Sequence, residues 1–287
     1  MKIAVVTDSS STIYDETEVE GVFKVPCVIS DDRDSFLEGL ECTTDQIYTM
    51  VNQGRMFTSS LPPIGLIEEL FTRLKAEGYE MIFAVPIGSG LSSSGEAMRT
   101  GAATVGIDFD MFDCYSTAKV ELELAYAARR LFDEGLSVAE VKEKLEDAST
   151  NCGTYVMPID FKHLLKSGRL TRGGAALAGL LKIRPILYVG WRSKGRLDKL
   201  VNTRTFSKMC NELAEIFRKA GVGKGYKIWI YHVWNPSEAK KVVDTLKEKI
   251  SDAEIMMDNL ITTVGIHTGI GALAAQFLKV SGLKSKQ

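Results

Sequence analysis

Short apolar segments alternate along the chain with longer segments whose apolar residues recur every three or four positions. The short segments are typical of buried strands, the longer ones of amphipathic helices, and their alternation is typical of an α/β protein. In the first half the predicted strands are Ile3–Thr7, Phe23–Ile29, Met81–Pro86 and Phe109–Asp113. The predicted helices are Pro63–Glu77, Ser92–Ala103, Thr117–Glu134 and Ser137–Ala148. We therefore expect this half to form a layered α/β/α unit with a mostly parallel sheet.

A domain boundary is expected near residue 150, which divides the chain into a first domain, 1–150, and a second α/β domain with a mixed sheet, 151–287. Segments 183–190 and 197–203 are expected to pair antiparallel across a turn that contains Gly195. The predicted strands are Thr154–Ile159, Ile183–Gly190, Leu197–Thr203, Lys227–Val233, Ile255–Met257 and Leu260–Thr263. The predicted helices are Phe206–Lys219, Pro236–Ile250 and a last helix that begins near His267–Gly271 and runs to Lys279.

Composition narrows the class of protein. The 287 residues carry 45% hydrophobic side chains and a formal net charge of −2, so the chain can bury a large core and has no basic field for nucleic acid. Five scattered cysteines without a C-x-x-C spacing argue against disulfides and structural zinc, and no two histidines have metal-ligand spacing. The apolar run at the N-terminus is too short for a signal peptide, and no run approaches the length of a membrane span. We expect a cytoplasmic protein without a metal, a cofactor or stable membrane insertion.

Two hydroxyl-rich turns precede predicted helices, at Phe57–Pro63 and at Val85–Gly95. Free backbone N–H groups at a helix N-terminus bind anions, and neither turn carries a lysine, a histidine or an acidic residue. The alternative is helix capping, by Ser59 or Ser60 in the first turn and by a capping box of Ser93 and Glu96 in the second. Capping accounts for one serine and not for a cluster. The turns therefore indicate a site that holds an oxyanion with neutral donors.

Two later segments carry further candidate groups. Lys166–Gly174 contains Arg169 and Arg172 beside glycines, and an arginine fork there could hold a carboxylate or a phosphate. We interpret Arg172 as a solvated surface residue. In Gly265–Gly271, His267 could share a proton with an oxyanion, although a lone histidine in a loop is more often structural.

Two other classes of function stay open at this point. Residues 90–94, Gly-Leu-Ser-Ser-Ser, resemble a nucleophile elbow without its final glycine, so a serine esterase or thioesterase that uses Ser92 and His267 is an alternative. A protein that binds a phospho-sugar or dihydroxyacetone is a second alternative, and it requires a polar pocket.

Taken in order, these segments resemble the DegV family over essentially the whole chain. Any one motif is weak, but the ordered set is specific. Six positions depart from the family pattern: Ser60-Leu61 stands for Gln-Pro, Ser93 and Ser167 for glycine, Cys114 for serine, and Ile270 for proline. The segments that carry the resemblance are Asp8-Ser9-Ser10, Thr58–Pro63, Ser89–Ser94, Asp113-Cys114, Leu165–Leu170, Leu181–Leu187 and Gly265–Gly271.

The resemblance implies a two-domain protein that binds a long-chain fatty acid, with the carboxylate at the domain interface and the tail buried. It implies a carrier and not a catalyst: a separate fatty acid kinase subunit would supply ATP and metal and form an acyl phosphate on the bound lipid. Arg169 and His267 match residues implied in handling the phosphorylated head group or the kinase partner. The residues expected at the carboxylate are Thr58 and Ser92, followed by Ser59 and Ser93.

Overall fold

The computed structural model of the protein describes residues 1–12, 19–159, 161–179, 183–250, 252–280 and 283. The first two residues of the Leu181–Leu187 motif lie outside this part of the chain. The strands are β1 Ile3–Asp8, β2 Val22–Val25, β3 Val28–Ser30, β4 Ser35–Leu37, β5 Thr58–Ser60, β6 Met81–Ala84, β7 Asp108–Met111, β8 Gly153–Met157, β9 Arg184–Val189, β10 Asp198–Thr203, β11 Tyr226–His232, β12 Glu254–Asn259 and β13 Leu273–Lys279. The helices are α1 Thr44–Asn52, α2 Ile64–Ala76, α3 Ser94–Val105, α4 Ala118–Asp133, α5 Val138–Thr150, α6 Lys162–Ser167, α7 Arg172–Ala175, α8 Phe206–Lys219, α9 Pro236–Lys249 and α10 Thr262–Thr268.

The first half forms a four-stranded parallel sheet in the order β2-β1-β6-β7. Alternate residues of its strands face opposite layers, as the pleat requires. Val6 and Ile82 pack with the apolar residues of α2 and α3. Val5 and Phe83 belong to the apolar cluster that contains α4. The predicted α/β/α arrangement with a parallel sheet is confirmed.

The second half forms a six-stranded mixed sheet in the order β10-β9-β8-β13-β11-β12. Its β9–β10 hairpin is antiparallel, as the sequence predicts, and carries an irregularity between Lys199 and Val201. One face packs against α8 and α9, while the other faces α4. The predicted α/β fold class is thus confirmed. A single apolar cluster joins residues from both halves, and the domain boundary near residue 150 stays a prediction.

The sequence interpretation is wrong for the last two elements. Leu260–Thr263 was expected to be a strand, but α10 begins at Thr262. The expected last helix up to Lys279 is instead β13, which lies between β8 and β11 and pairs antiparallel with both. Six of the seven β13 residues are buried, so its apolar run reflects a strand covered on both faces and not a helix.

The predicted strand Phe23–Ile29 is also two strands. It breaks at Pro26, which has no N–H for a ladder. The first part, β2, joins the parallel sheet. The second part, β3, forms a separate small antiparallel sheet with β4 and β5 in the order β4-β3-β5. This small sheet presents Ser59 to the rest of the molecule.

In the described part of the chain, no helix combines the length and the apolar composition that crossing a bilayer requires.

Candidate ligand-binding site

A cavity of about 500 Å³ lies between the carboxyl ends of the parallel sheet and one face of the mixed sheet. Its size is within the range of small-molecule sites, which is about 300–1,000 Å³. The turn after β6, the start of α4, β5, α6 and α10 form its remaining walls. Exposed lining residues such as Ser60, Ser93 and Arg196 mark the mouth, and the buried strand residues mark the interior.

Two rows of side chains that cross the mixed sheet form the interior wall. In one row Val156, Ala274 and Tyr231 are direct neighbours on β8, β13 and β11. In the other, Val189, Thr154 and Gln276 are neighbours on β9, β8 and β13. All six side chains are buried, and all six line the cavity. The interior is therefore a rigid wall of mainly apolar surface built on paired strands.

The polar groups within this wall satisfy one another. The Tyr231 hydroxyl donates to Oε1 of Gln276 at 2.9 Å. Nε2 of Gln276 donates to the Thr117 carbonyl at 2.7 Å and to the Thr154 hydroxyl at 3.0 Å. The Thr154 hydroxyl also lies 2.9 Å from that of Ser116. Because these groups are already paired, an apolar ligand can lie against them without stripping a hydrogen bond.

Polar side chains gather at the mouth. Ser59 Oγ and His267 Nε2 lie 2.8 Å apart and share a hydrogen bond that joins β5 to α10. Ser92, Ser93 and Arg169 line the same cavity. The structure therefore brings together five of the six residues that the sequence singles out for the site. Of the described residues that line the cavity, none is aspartate or glutamate.

The protonation of the mouth follows from burial. Burial, and after it the electrostatic effects of Arg169 and His163, lower the pKa of His267 to about 3. Burial also lowers the pKa of Arg169. The guanidinium of Arg169 donates to the Leu91 carbonyl at 3.1 Å and to the Ser167 carbonyl at 2.7 Å, which fixes its position. Near neutral pH the mouth thus holds an uncharged imidazole beside a fixed cation.

The turn after β6 is fixed in position by contacts with both halves of the chain. Asp113 accepts from the N–H of Ser89, and Asp8 accepts from the N–H of Ile87. Gly90 meets the β9–β10 hairpin so closely that a Cβ at this position would lie 2.3 Å from the Lys194 carbonyl oxygen. Only glycine permits this approach, which carries Leu91 and the serines after it to the cavity.

Helix capping accounts for few of the hydroxyls in the two turns. Ser93 is the N-cap of α3 but makes no side-chain capping bond, so the predicted capping box is absent. Helix α2 is capped by neither Ser59 nor Ser60, because its N-cap is Pro63. The Ser92 hydroxyl accepts from the N–H of Ser94, the first residue of α3, at 3.3 Å. The hydroxyls of Ser59, Ser60 and Ser93 are not accounted for by helix capping.

Thr58 is the predicted site residue that the structure does not bring into the cavity. Side chains alternate along β5, so Ser59 points toward His267 and Thr58 points the other way. The exposed Thr58 hydroxyl donates to the Ser30 carbonyl at 3.3 Å. Arg172 is exposed as well, in agreement with its interpretation as a surface residue.

Sequence reasoning missed the interior wall. Gln276 and Ala274 lie on β13, whose almost continuously apolar sequence does not alternate and is compatible with the predicted helix. Val156 and Tyr231 lie on strands that were predicted, but only pairing partners show that they share a face. Glu38, which contacts α10, was missed too.

Comparison of the sequence with known proteins identifies the family of this chain. A family model described as "Uncharacterised protein, DegV family" matches residues 2–280. A DegV domain-containing protein of Streptococcus pneumoniae is 26% identical over 283 residues, which are 98% of this chain and 100% of the relative. The chain belongs to the DegV family.

Solved structures share the fold. A fatty acid binding DegV family protein from Streptococcus agalactiae has a TM-score of 0.85 and 25% identity, with 97% of this chain and 99% of that chain covered. A DegV family protein from Eubacterium eligens loaded with heptadecanoic acid has a TM-score of 0.78 and 20% identity, with 96% and 98% covered. The structural neighbours of this chain are thus DegV proteins that bind fatty acids.

Proposed function

We propose that this protein binds a long-chain fatty acid, with the carboxylate at the mouth and the tail along the interior wall. The observation that carries the proposal is the cavity itself, which joins a polar mouth to a buried, mainly apolar interior. The fatty acids bound by related DegV proteins support it. In this arrangement Ser59, Ser92 and Ser93 contact the carboxylate through hydroxyl or backbone N–H groups. His267 and Arg169 complete the mouth.

The tail supplies most of the affinity. Each buried methylene contributes about 0.8 kcal/mol, so a tail of roughly a dozen contributes on the order of 10 kcal/mol before ordering costs. The mouth supplies direction. Hydrogen bonds from neutral donors to a carboxylate are charge-assisted, and they hold the head group without a direct ion pair. The fixed charge of Arg169 adds a favourable field at the same place.

Uptake of ligand by the lipid-free protein tests the proposal directly. Protein stripped of lipid and mixed with palmitate is expected to show the added mass of one acid in native mass spectrometry. An equal addition with hexadecane, which has the tail without the carboxylate, serves as the control and is expected to bind more weakly. Stripped protein that takes up no long-chain acid would overturn the proposal.

Replacing Ser59 with alanine is expected to weaken binding of palmitate about tenfold, because the carboxylate loses a charge-assisted donor. The neighbouring variant Thr58→Ala is the matched control. It also removes one hydroxyl from β5, but that hydroxyl points away from the cavity. Titration with a fluorescent fatty acid measures both. An effect of Thr58→Ala as large as that of Ser59→Ala would place the carboxylate elsewhere.

The geometry favours a binding protein over a serine hydrolase. The serine that shares a hydrogen bond with His267 Nε2 is Ser59 and not Ser92. An imidazole whose pKa is about 3 is a weak general base at neutral pH. Of the described lining residues none is a carboxylate that could orient His267 as the third member of a triad. A fluorophosphonate probe is expected to label neither serine, and labelling of either would favour the hydrolase.

We also propose that the bound acid is presented to a fatty acid kinase subunit. The support is the position of Arg169 and His267 at the mouth, where a transferred phosphoryl group would need cationic and hydrogen-bonding partners. Loaded protein mixed with such a subunit and Mg-ATP is expected to yield acyl phosphate, which hydroxylamine traps as a hydroxamate. Absence of product with a kinase that is active on another carrier would limit this chain to binding.

A further inference from the structure

Glu38, which follows β4, is a buried carboxylate that the proposed function does not use. It is 1% exposed. Its Oε1 accepts from the backbone N–H of Thr263 at 2.7 Å, and its Oε2 accepts from the hydroxyls of Thr263 and of Ser9, the latter at 2.7 Å. Ser9 Oγ in turn accepts from the N–H of Cys27 at 2.9 Å. The carboxylate thus ties α10 to the first half of the chain.

Helix α10 depends on this contact for its start. Its N-cap, Ile261, offers no side-chain capping bond. The Glu38 carboxylate replaces the missing cap by accepting from Thr263 N–H, one of the backbone donors that an uncapped helix leaves unpaired. Thr263 and His267 are four residues apart, so they share one face of the helix, and both line the cavity. The contact that fixes Thr263 sets the orientation of α10 about its axis, and therefore also the position of His267.

The small sheet therefore holds α10 at two points. Ser59 on β5 meets His267, and Glu38 after β4 meets Thr263 one turn earlier. We propose that Glu38 is a positioning residue of the fatty acid site, which holds α10 in the orientation that aims His267 at Ser59 and the ligand carboxylate. The inference rests on the proposed function for its effect on affinity, but not for its effect on His267 itself.

The groups around Glu38 are acidic or neutral. Asp8 faces it from the end of β1, Cys27 from the segment between β2 and β3, and Tyr48 from α1. Another buried glutamate is Glu121 on α4, which accepts from the hydroxyls of Thr7 and Ser10 at 2.7 and 2.8 Å. Glu121 has the same chemistry but holds the end of β1 and not α10. It is the natural control.

The test compares Glu38→Met with Glu121→Met, since methionine matches the length of glutamate and is only a weak acceptor. Both variants are expected to lose thermal stability. Only Glu38→Met is expected to shift the ring signals of His267 in NMR spectra of the lipid-free protein and to weaken palmitate binding about tenfold. Glu38→Gln keeps an acceptor for Thr263 N–H and is expected to restore both.

Each outcome supports or overturns the inference. Equal loss of affinity in both methionine variants, or unchanged His267 signals in Glu38→Met, would show that Glu38 acts only through stability. If Glu38→Met does not fold, Glu38→Asp takes its place and is judged by the same two measurements, because it retains a carboxyl group but shortens the reach by one methylene. A shift of the His267 signals without palmitate binding by the wild type would uphold the positioning role and overturn the proposed function.

Discussion

Replacing Ala274 with phenylalanine is expected to abolish tight binding of long-chain acids while leaving short ones unaffected. Ala274 is the second residue of β13 and lies between Val156 on β8 and Tyr231 on β11, and its small side chain faces the cavity. A phenyl ring there fills the path of the tail. A chain that loses roughly four buried methylenes binds about 3 kcal/mol more weakly, a loss of more than a hundredfold. Titrations with palmitate and octanoate measure the difference.

The comparison of chain lengths supplies the control. Octanoate presents the same carboxylate to Ser59 and His267 but reaches less far along the wall. Its affinity for the variant is therefore expected to stay within about twofold of its affinity for the wild type, a change in binding free energy of about 0.4 kcal/mol. Ala274→Val is expected to have a smaller effect on palmitate than the phenylalanine variant. Equal losses for octanoate and palmitate, in a variant whose unfolding temperature is unchanged, would mean that the tail does not pass Ala274.

The mouth of the site could be predicted from the sequence because local rules determine it. A strand that ends in glycine and serine before a helix places those serines at the carboxyl edge of a parallel sheet, and Ser92 and Ser93 lie there. The choice between Thr58 and Ser59 could not be made in this way. It depends on which alternate residues of β5 face α10. The pairing of Ser59 with Ile29 of β3 sets this register, and the sequence predicts β2 and β3 as a single strand.

The interior wall could not be predicted, since it depends on pairing between distant strands. The segment of β13 is rich in alanine and leucine, which favour helices. Its strand conformation is imposed by β8 and β11, which pair with it on either side. Tertiary pairing thus overrides local propensity at Ala274 and Gln276. The same limit hides Glu38, whose partner Thr263 is 225 residues away in the chain.

The pH dependence of stability gives the second large effect. Burial raises the pKa of Glu38 from 4.5 to about 7, even though the hydrogen bonds from Ser9 and Thr263 lower it. An acid whose pKa is raised by folding binds more protons in the native state, so its contribution to stability is complete below pH 4.5 and is lost as the pH rises to 7. At 1.36 kcal/mol for each pKa unit, the loss is about 3 kcal/mol.

Denaturant unfolding of the wild type and of Glu38→Gln at several pH values measures this effect. The glutamine cannot ionise, so the free energy of unfolding of the variant minus that of the wild type is expected to rise by about 3 kcal/mol between pH 4.5 and pH 8. His267 works in the opposite direction, because its lowered pKa costs stability as the pH falls below 6.5. That contribution is present in both proteins and cancels in the difference. A difference that stays flat across this range would mean that Glu38 is already ionised at pH 4.5, and the hydrogen bonds from Ser9 and Thr263 would then outweigh its burial.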